Sequence, residues 1–199
     1  MAKLFPFLQI HDFLSDKLSK EILDYAEARQ ADFSPSTTSS GGGMAMVTNQ
    51  RISMTLKDLA EFGPAIRENI LAIAPGIIEQ LKISPFEIGE IELQLAAHGD
   101  GALFVTHIDT GVHEKSEKPR IISLVYYMHT QPKKFSGGHL RMHTLPIGED
   151  DVQPVDITPD HNSLIAFPSF APHEVLPVVA PNVAFKDWRF AVNCWIHRA

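Results

Sequence analysis

Thr106-His107-Ile108-Asp109-Thr110 sets an imidazole and a carboxylate two residues apart. If the backbone there is extended, both side chains leave the same face. Such a pair can hold a divalent metal but does not complete a site. The candidate third donor is His173, in Phe167-Pro168-Ser169-Phe170-Ala171-Pro172-His173-Glu174-Val175, just beyond a predicted strand.

Two histidines and one carboxylate occupy one face of an octahedron and leave three positions open, the geometry that non-haem Fe(II) oxygenases use. A bidentate 2-oxo acid can fill two of these and dioxygen the third. A 2-oxo diacid also needs a cation for its far carboxylate. Arg189 is the candidate: its planar fork pairs with a carboxylate through two parallel hydrogen bonds. Its neighbours Trp188, Phe190, Ala191, Val192, Cys194 and Trp195 are largely apolar, so an arginine there calls for a charged partner. His139 and His143 compete as ligands. On a strand they stand about 13 Å apart, too far to share one ion, so they read as the polar face of a strand whose other face shows Leu140 and Met142.

At 199 residues the chain is most economically one domain with a substantial core. Its net charge of −7 argues against a nucleic-acid footprint, which favours a basic patch. The single cysteine, Cys194, cannot form an intrachain disulfide, which suits a reducing, cytoplasmic home. No signal-peptide layout is visible, and no apolar run approaches the ~20 residues of a membrane span. No membrane association is therefore expected. Oligomeric state is not readable.

The elements that must position these residues follow in order. A short extended lead-in over 4–10 precedes a helix capped by Ser15 and running to about Arg29. The stretch 32–50, rich in Ser, Thr and Gly, reads as a flexible, structureless loop, either a plain surface loop or a lid. A second helix over 56–81 should break near Ala74-Pro75-Gly76. After Pro85 the texture turns to strands: 91–96, 120–128, 139–143, 164–167 and 190–196. The fold class is thus mainly β with supporting α, a sandwich or jelly roll with helices on its outside. Residues 1–85 supply helical support and 86–199 the jelly-roll core.

The ordered set His107-Ile108-Asp109, Val125-Tyr126-Tyr127-Met128, Ser136-Gly137-Gly138-His139-Leu140-Arg141, Phe167-Pro168-Ser169 with Pro172-His173-Glu174-Val175, and Arg189-Phe190-Ala191-Val192-Asn193-Cys194-Trp195 resembles the Fe(II)/2-oxoglutarate-dependent dioxygenases of the prolyl 4-hydroxylase type. It is similar in style to those acting on hypoxia-inducible factor. The resemblance spans roughly 98–197. It implies a double-stranded β-helix of jelly-roll, cupin-like form with N-terminal helices packed on the major sheet. It also implies Fe(II) on His107, Asp109 and His173, with 2-oxoglutarate as co-substrate, O2 as oxidant and ascorbate as a reductant. Arg189 and the Tyr127 hydroxyl would bind the distal carboxylate, Leu140 would wall the co-substrate, and Trp195 would line the site near the iron. The plain alternative for Leu140 and Trp195 is core packing, and for Tyr127 a cross-strand contact. His98 stands where the family usually has a tyrosine, and Asn193 where a smaller hydroxyl residue can face metal-bound water.

Related halogenases carry a small residue at the position of Asp109, so its carboxylate implies hydroxylation, although desaturation or cyclisation uses the same iron. The expected substrate is a small molecule or amino-acid-derived metabolite, with a peptidyl proline as the alternative. The segments 32–50, 113–118 and 178–186 are expected at the entrance. A non-catalytic cupin-like binding module is the alternative of another class.

Overall fold

A computed structural model describes residues 3–36, 38–40, 43–45, 50–110, 118–145 and 153–199. Two antiparallel sheets face each other. Their strands are β1 (Leu8–His11), β2 (Ser34–Pro35), β3 (Arg51–Ile52), β4 (Met54–Leu56), β5 (Ile88–His98), β6 (Leu103–His107), β7 (Arg120–Met128), β8 (Leu140–Met142), β9 (Val155–Ile157), β10 (Ser163–Pro168), β11 (His173–Val175) and β12 (Arg189–Arg198). The major sheet has seven strands in the order β1-β10-β7-β12-β5-β4-β2, and the minor sheet five in the order β9-β8-β11-β6-β3.

Two helices cover the outer face of the major sheet. Helix α1 (Asp16–Ala28) starts where the Ser15 hydroxyl accepts the Leu18 N–H, satisfying an otherwise orphaned donor of the first turn. Helix α2 (Phe62–Gln80) buries Ile66, Ile70, Ala74 and Ile77, one stripe at helical spacing, against Leu93, Leu95, Leu124, Val192 and Cys194. The expected break at Pro75 does not occur, because the helix continues through it. Pro75 removes one hydrogen bond to the Leu71 carbonyl, but both residues lie on the exposed side, where water replaces it.

The first 85 residues do more than support. They supply β1 and β2 as the two edges of the major sheet, β4 inside it, and β3 at the edge of the minor one. The stretch 32–50 is therefore not structureless. It holds β2, hydrogen-bonded to β4, and a small antiparallel pair, Thr38–Ser40 with Gly43–Ala45. Residues 37, 41–42 and 46–49, on which the lid reading also rests, lie outside the described residues, as do 113–117 of the second expected entrance segment. In the third, 178–186, Val178, Ala180 and Phe185 are buried while Val179, Pro181, Asn182, Ala184 and Lys186 are exposed. Among the described residues no helix is long and apolar enough to cross a membrane.

The inner face of the major sheet carries the alternate residues. Along β12 these are Arg189, Ala191, Asn193 and Trp195, opposite Tyr127, Val125 and Ser123 of β7 on one side and His98, Ala96, Gln94 and Glu92 of β5 on the other. The outer-face residues between them belong to the helix-covered core. Because Ile70 is fully buried at the centre of the helix–sheet contact, Ile70→Ala should destabilise the fold by about 2–5 kcal/mol, read as a lower urea midpoint with an unchanged slope.

Candidate metal and co-substrate site

His107 closes β6 and His173 opens β11, and the two are direct cross-strand partners. Asp109 lies just past the end of β6, in a bend rather than on the strand. The turn nevertheless returns its carboxylate to the histidines. Nδ1 of His107 meets the Val105 carbonyl at 2.8 Å, and Nδ1 of His173 meets the Ala171 carbonyl at 2.9 Å. A carbonyl only accepts, so both Nδ1 atoms carry the proton and both Nε2 atoms keep a free lone pair. Those lone pairs stand 3.7 Å (His107) and 3.6 Å (His173) from the two Asp109 oxygens. The three donor atoms lie within 4.8 Å of one another, and among the described residues no second such group occurs.

The electrostatics keep His107 and Asp109 deprotonated. Burial, reinforced by the His173 ring, pushes His107 down to about 4. Burial alone would raise Asp109, but His173, His107 and the Ser123 hydroxyl outweigh it and hold the carboxyl below its ordinary value. Phe104 stacks on His107 with centroids 3.5 Å apart, and Phe167 packs edge-on against His173 at 4.6 Å. These rings fix the imidazole planes.

Deeper between the sheets lies Arg189, 1% exposed. Its Nε and one terminal nitrogen, together with the Tyr127 hydroxyl, have no hydrogen-bond partner among the described residues, and no carboxylate pairs with it there. The guanidinium sits 4.7 Å over the Tyr127 ring. Burial lowers the Arg189 pKa and raises that of Tyr127, which leaves a cation and a neutral phenol facing one space. An orphaned buried charge is costly unless a ligand completes it. Gly138, in the left-handed region at φ +66°, lets the arginine pass: a Cβ there would lie 2.8 Å from Arg189 Cδ and 2.9 Å from Val178 Cγ2.

Residues 93–197 match the 2OG-Fe(II) oxygenase superfamily. The chain belongs to that superfamily. Among its relatives is an uncharacterised PKHD-type hydroxylase from Synechocystis sp., 35% identical over 194 residues. The alignment covers 96% of this chain but only 62% of that protein. The fold is shared with a prolyl-4-hydroxylase from Pseudomonas putida (TM-score 0.68, 22% identity, 97% of this chain and 92% of that one). It is also shared with a prolyl hydroxylase from Trichoplax adhaerens, solved with a hypoxia inducible factor peptide fragment (TM-score 0.72, 20% identity, 98% and 84%). Membership in the 2OG-Fe(II) oxygenases implies Fe(II), 2-oxoglutarate and O2. The His107–Asp109–His173 donor set fits iron, and the unpartnered Arg189 and Tyr127 groups fit a dianionic co-substrate.

The remaining expected residues fall as follows. Leu140 is buried in one cluster with Tyr127, Ile165 and Ala191, an apolar wall on the minor-sheet side. The buried Trp195 indole N–H has no partner at hydrogen-bond distance, yet it faces Asp109 and adds to its stabilisation. Asn193 lies half-buried on the inner face between Val125 and Gln94. His98 is buried, and its Nδ1–H meets the Arg189 carbonyl at 3.3 Å, so it braces the strand that presents the arginine. His139 and His143 lie outside the triad. His143 Nε2 instead pairs with Glu174 at 3.1 Å and Thr106 at 3.2 Å.

Sequence reasoning passed over Ser123, Phe104, Arg51 and Arg120, and gave Ser169 no role beyond its place in the family pattern. Arg51 lies 5.0 Å over the Phe104 ring and donates to Gln94. Arg120 stacks 4.0 Å over Trp195 and pairs with Glu92. A serine inside the otherwise apolar run 121–128 was the one local signal available.

Two outcomes follow from this geometry. Gly138→Ala should lose about 1–2 kcal/mol from its left-handed backbone alone and, by displacing Arg189, weaken 2-oxoglutarate binding, measured by urea unfolding and calorimetric titration. Burial, with Arg189 and Arg51 nearby, holds folded His98 neutral well below its ordinary 6.5. Below that pH the unfolded chain binds the proton and the folded chain does not, so stability falls as pH falls. His98→Gln should flatten urea stability between pH 6.5 and 5 by up to about 1.4 kcal/mol per pH unit.

Proposed function

We propose that this chain is a dioxygenase that hydroxylates an aliphatic C–H bond, with release of succinate and CO2. The observation that carries the reading is the pairing of a His107–Asp109–His173 donor face with an uncompensated buried guanidinium. His107 and His173 would bind iron through Nε2 and Asp109 through a carboxylate oxygen. Arg189 would take the distal carboxylate of 2-oxoglutarate, with Tyr127 donating to the same group. When bound, Fe(II) with 2-oxoglutarate activates dioxygen for attack on an unactivated C–H bond. The residues around it do the rest. Leu140, Ile165 and Ala191 exclude water from the co-substrate, the paired Nδ1–H groups hold the imidazoles in register, and Asp109 fills the position that a halide would need.

A groove of about 650 Å³ lies beside Thr110, Arg120, Pro168 and Phe170 and residues 81–84 at the end of α2; none of the metal or co-substrate residues lines it. The substrate proposed for this site is a metabolite or amino-acid-derived molecule. A second reading, hydroxylation of a peptidyl proline, is supported by the prolyl hydroxylases that share the fold, one of them holding a peptide. Against a non-catalytic cupin-like module speaks the presence of the triad, Tyr127 and Arg189 together.

Anaerobic addition of Fe(II) and 2-oxoglutarate should produce a weak visible charge-transfer band that His107→Ala abolishes. Arg189→Ala should weaken 2-oxoglutarate binding by about 2–5 kcal/mol; unchanged affinity would remove Arg189 from the scheme. For the substrate, free metabolites and proline-containing peptides are screened by mass spectrometry for a gain of one oxygen. Product from peptides alone would overturn the small-molecule reading.

A further inference from the structure

The buried hydroxyls of Ser123 and Ser169, 1% and 0% exposed, stand directly behind Asp109. Ser123 Oγ lies 2.6 Å from Asp109 Oδ2 and 2.9 Å from Ser169 Oγ. A hydroxyl has one proton and a carboxylate only accepts, so the order of donation is set: Ser169 donates to Ser123, and Ser123 donates to Asp109. Ser169 also holds the aspartate from the other side. Its carbonyl accepts the backbone N–H groups of Asp109 at 2.8 Å and Thr110 at 3.2 Å, while its own N–H donates to the Ile121 carbonyl at 3.0 Å. One residue, four positions before His173, therefore grips both the backbone and, through Ser123, the side chain of Asp109.

We propose that Ser123, with Ser169 behind it, is a positioning residue for the metal: the pair turns the Asp109 carboxylate so that it offers one oxygen. This rests on the reading of His107, Asp109 and His173 as the ligands. A short hydrogen bond to Oδ2 draws density from that oxygen and locks the carboxylate plane. The two oxygens stand at similar range from the ligand nitrogens, Oδ1 3.7 Å from His107 Nε2 and Oδ2 3.6 Å from His173 Nε2. The hydrogen bond is what distinguishes them: Oδ1 remains the stronger donor, and chelation through both oxygens is disfavoured. Keeping the carboxylate to one coordination position preserves the open face that a bidentate co-substrate and dioxygen require. Simple satisfaction of a buried polar group would explain one hydroxyl on Asp109, but it predicts no effect of Ser169 that runs through Ser123.

The test uses Co(II) alone, titrated into the metal-free protein and followed by its ligand-field absorption. Ser123→Ala should raise the Co(II) Kd about 10–100-fold and alter the band pattern, Ser169→Ala should raise it less, and the double variant should match Ser123→Ala. Thermal unfolding of the metal-free proteins separates lost fold from lost ligand geometry. Co(II) affinity of Ser123→Ala within about twofold of the parent would overturn the proposal, as would additive effects in the double variant. Should Ser123→Ala fail to fold, Ser169→Ala decides alone, and an unchanged Kd overturns it. Parent-like Co(II) binding by His107→Ala would instead refute the ligand assignment beneath it.

Discussion

A guanidinium held out of water with no carboxylate to meet it is the constraint around which this molecule is arranged. Arg189 sits on the inner face of the central strand β12, braced by His98 from β5 and overlain by the Tyr127 ring from β7. Burying an ion costs several kcal/mol even after relaxation; Tyr127 offsets part of that cost, and among the described residues no carboxylate pairs with the guanidinium. The fold tolerates it because helices α1 and α2 complete a large apolar core on the opposite face of the same sheet. The left-handed Gly137-Gly138 turn makes room for the side chain, and Val178 closes that end. The charge is thereby stored where a dianion can collect it.

The metal-binding face depends on a different kind of constraint. His107 and His173 come from strands that pair directly, so their separation is set by the sheet ladder rather than by side-chain flexibility. Their Nδ1 protons are committed to carbonyls two residues earlier in each case, which aims both Nε2 atoms without spending another side chain. Asp109 lacks a strand to hold it. Its place is kept instead by the Ser169 backbone, in the connection between β10 and β11, and by the Ser123 hydroxyl of β7. A site with two donors on a ladder and one on a clamp is most easily perturbed at the clamp.

Much of this was legible beforehand. The alternation along β5 and the β-branched and aromatic content of β7 announced strands, and Ser15 marked a helix start that the structure keeps. The order of His107, Asp109, Tyr127, His173 and Arg189 carried the resemblance that the superfamily match confirms. Misreadings arose where local signals were outvoted by distant partners. Pro75 stayed inside α2 because its lost hydrogen bond faces water, and 32–50 holds strands because β2 finds β4 as a neighbour. The stretch 178–186 is anchored through Phe185 and Val178, which reach apolar clusters that sequence proximity does not reveal.

Residue types and order were enough to determine the chemistry on offer: two imidazoles, one carboxylate and one arginine in a β-rich chain, since ligand softness and charge are properties of side chains themselves. Only the tertiary structure decided that His107 faces His173 across a ladder, that Asp109 reaches them from a bend, and that Arg189 has no partner. It also decided that two serines remote in sequence stand in line behind the carboxylate. Those facts depend on which strands lie side by side, and strand pairing is settled by the sum of burial over the whole core, not by any residue that the site contains.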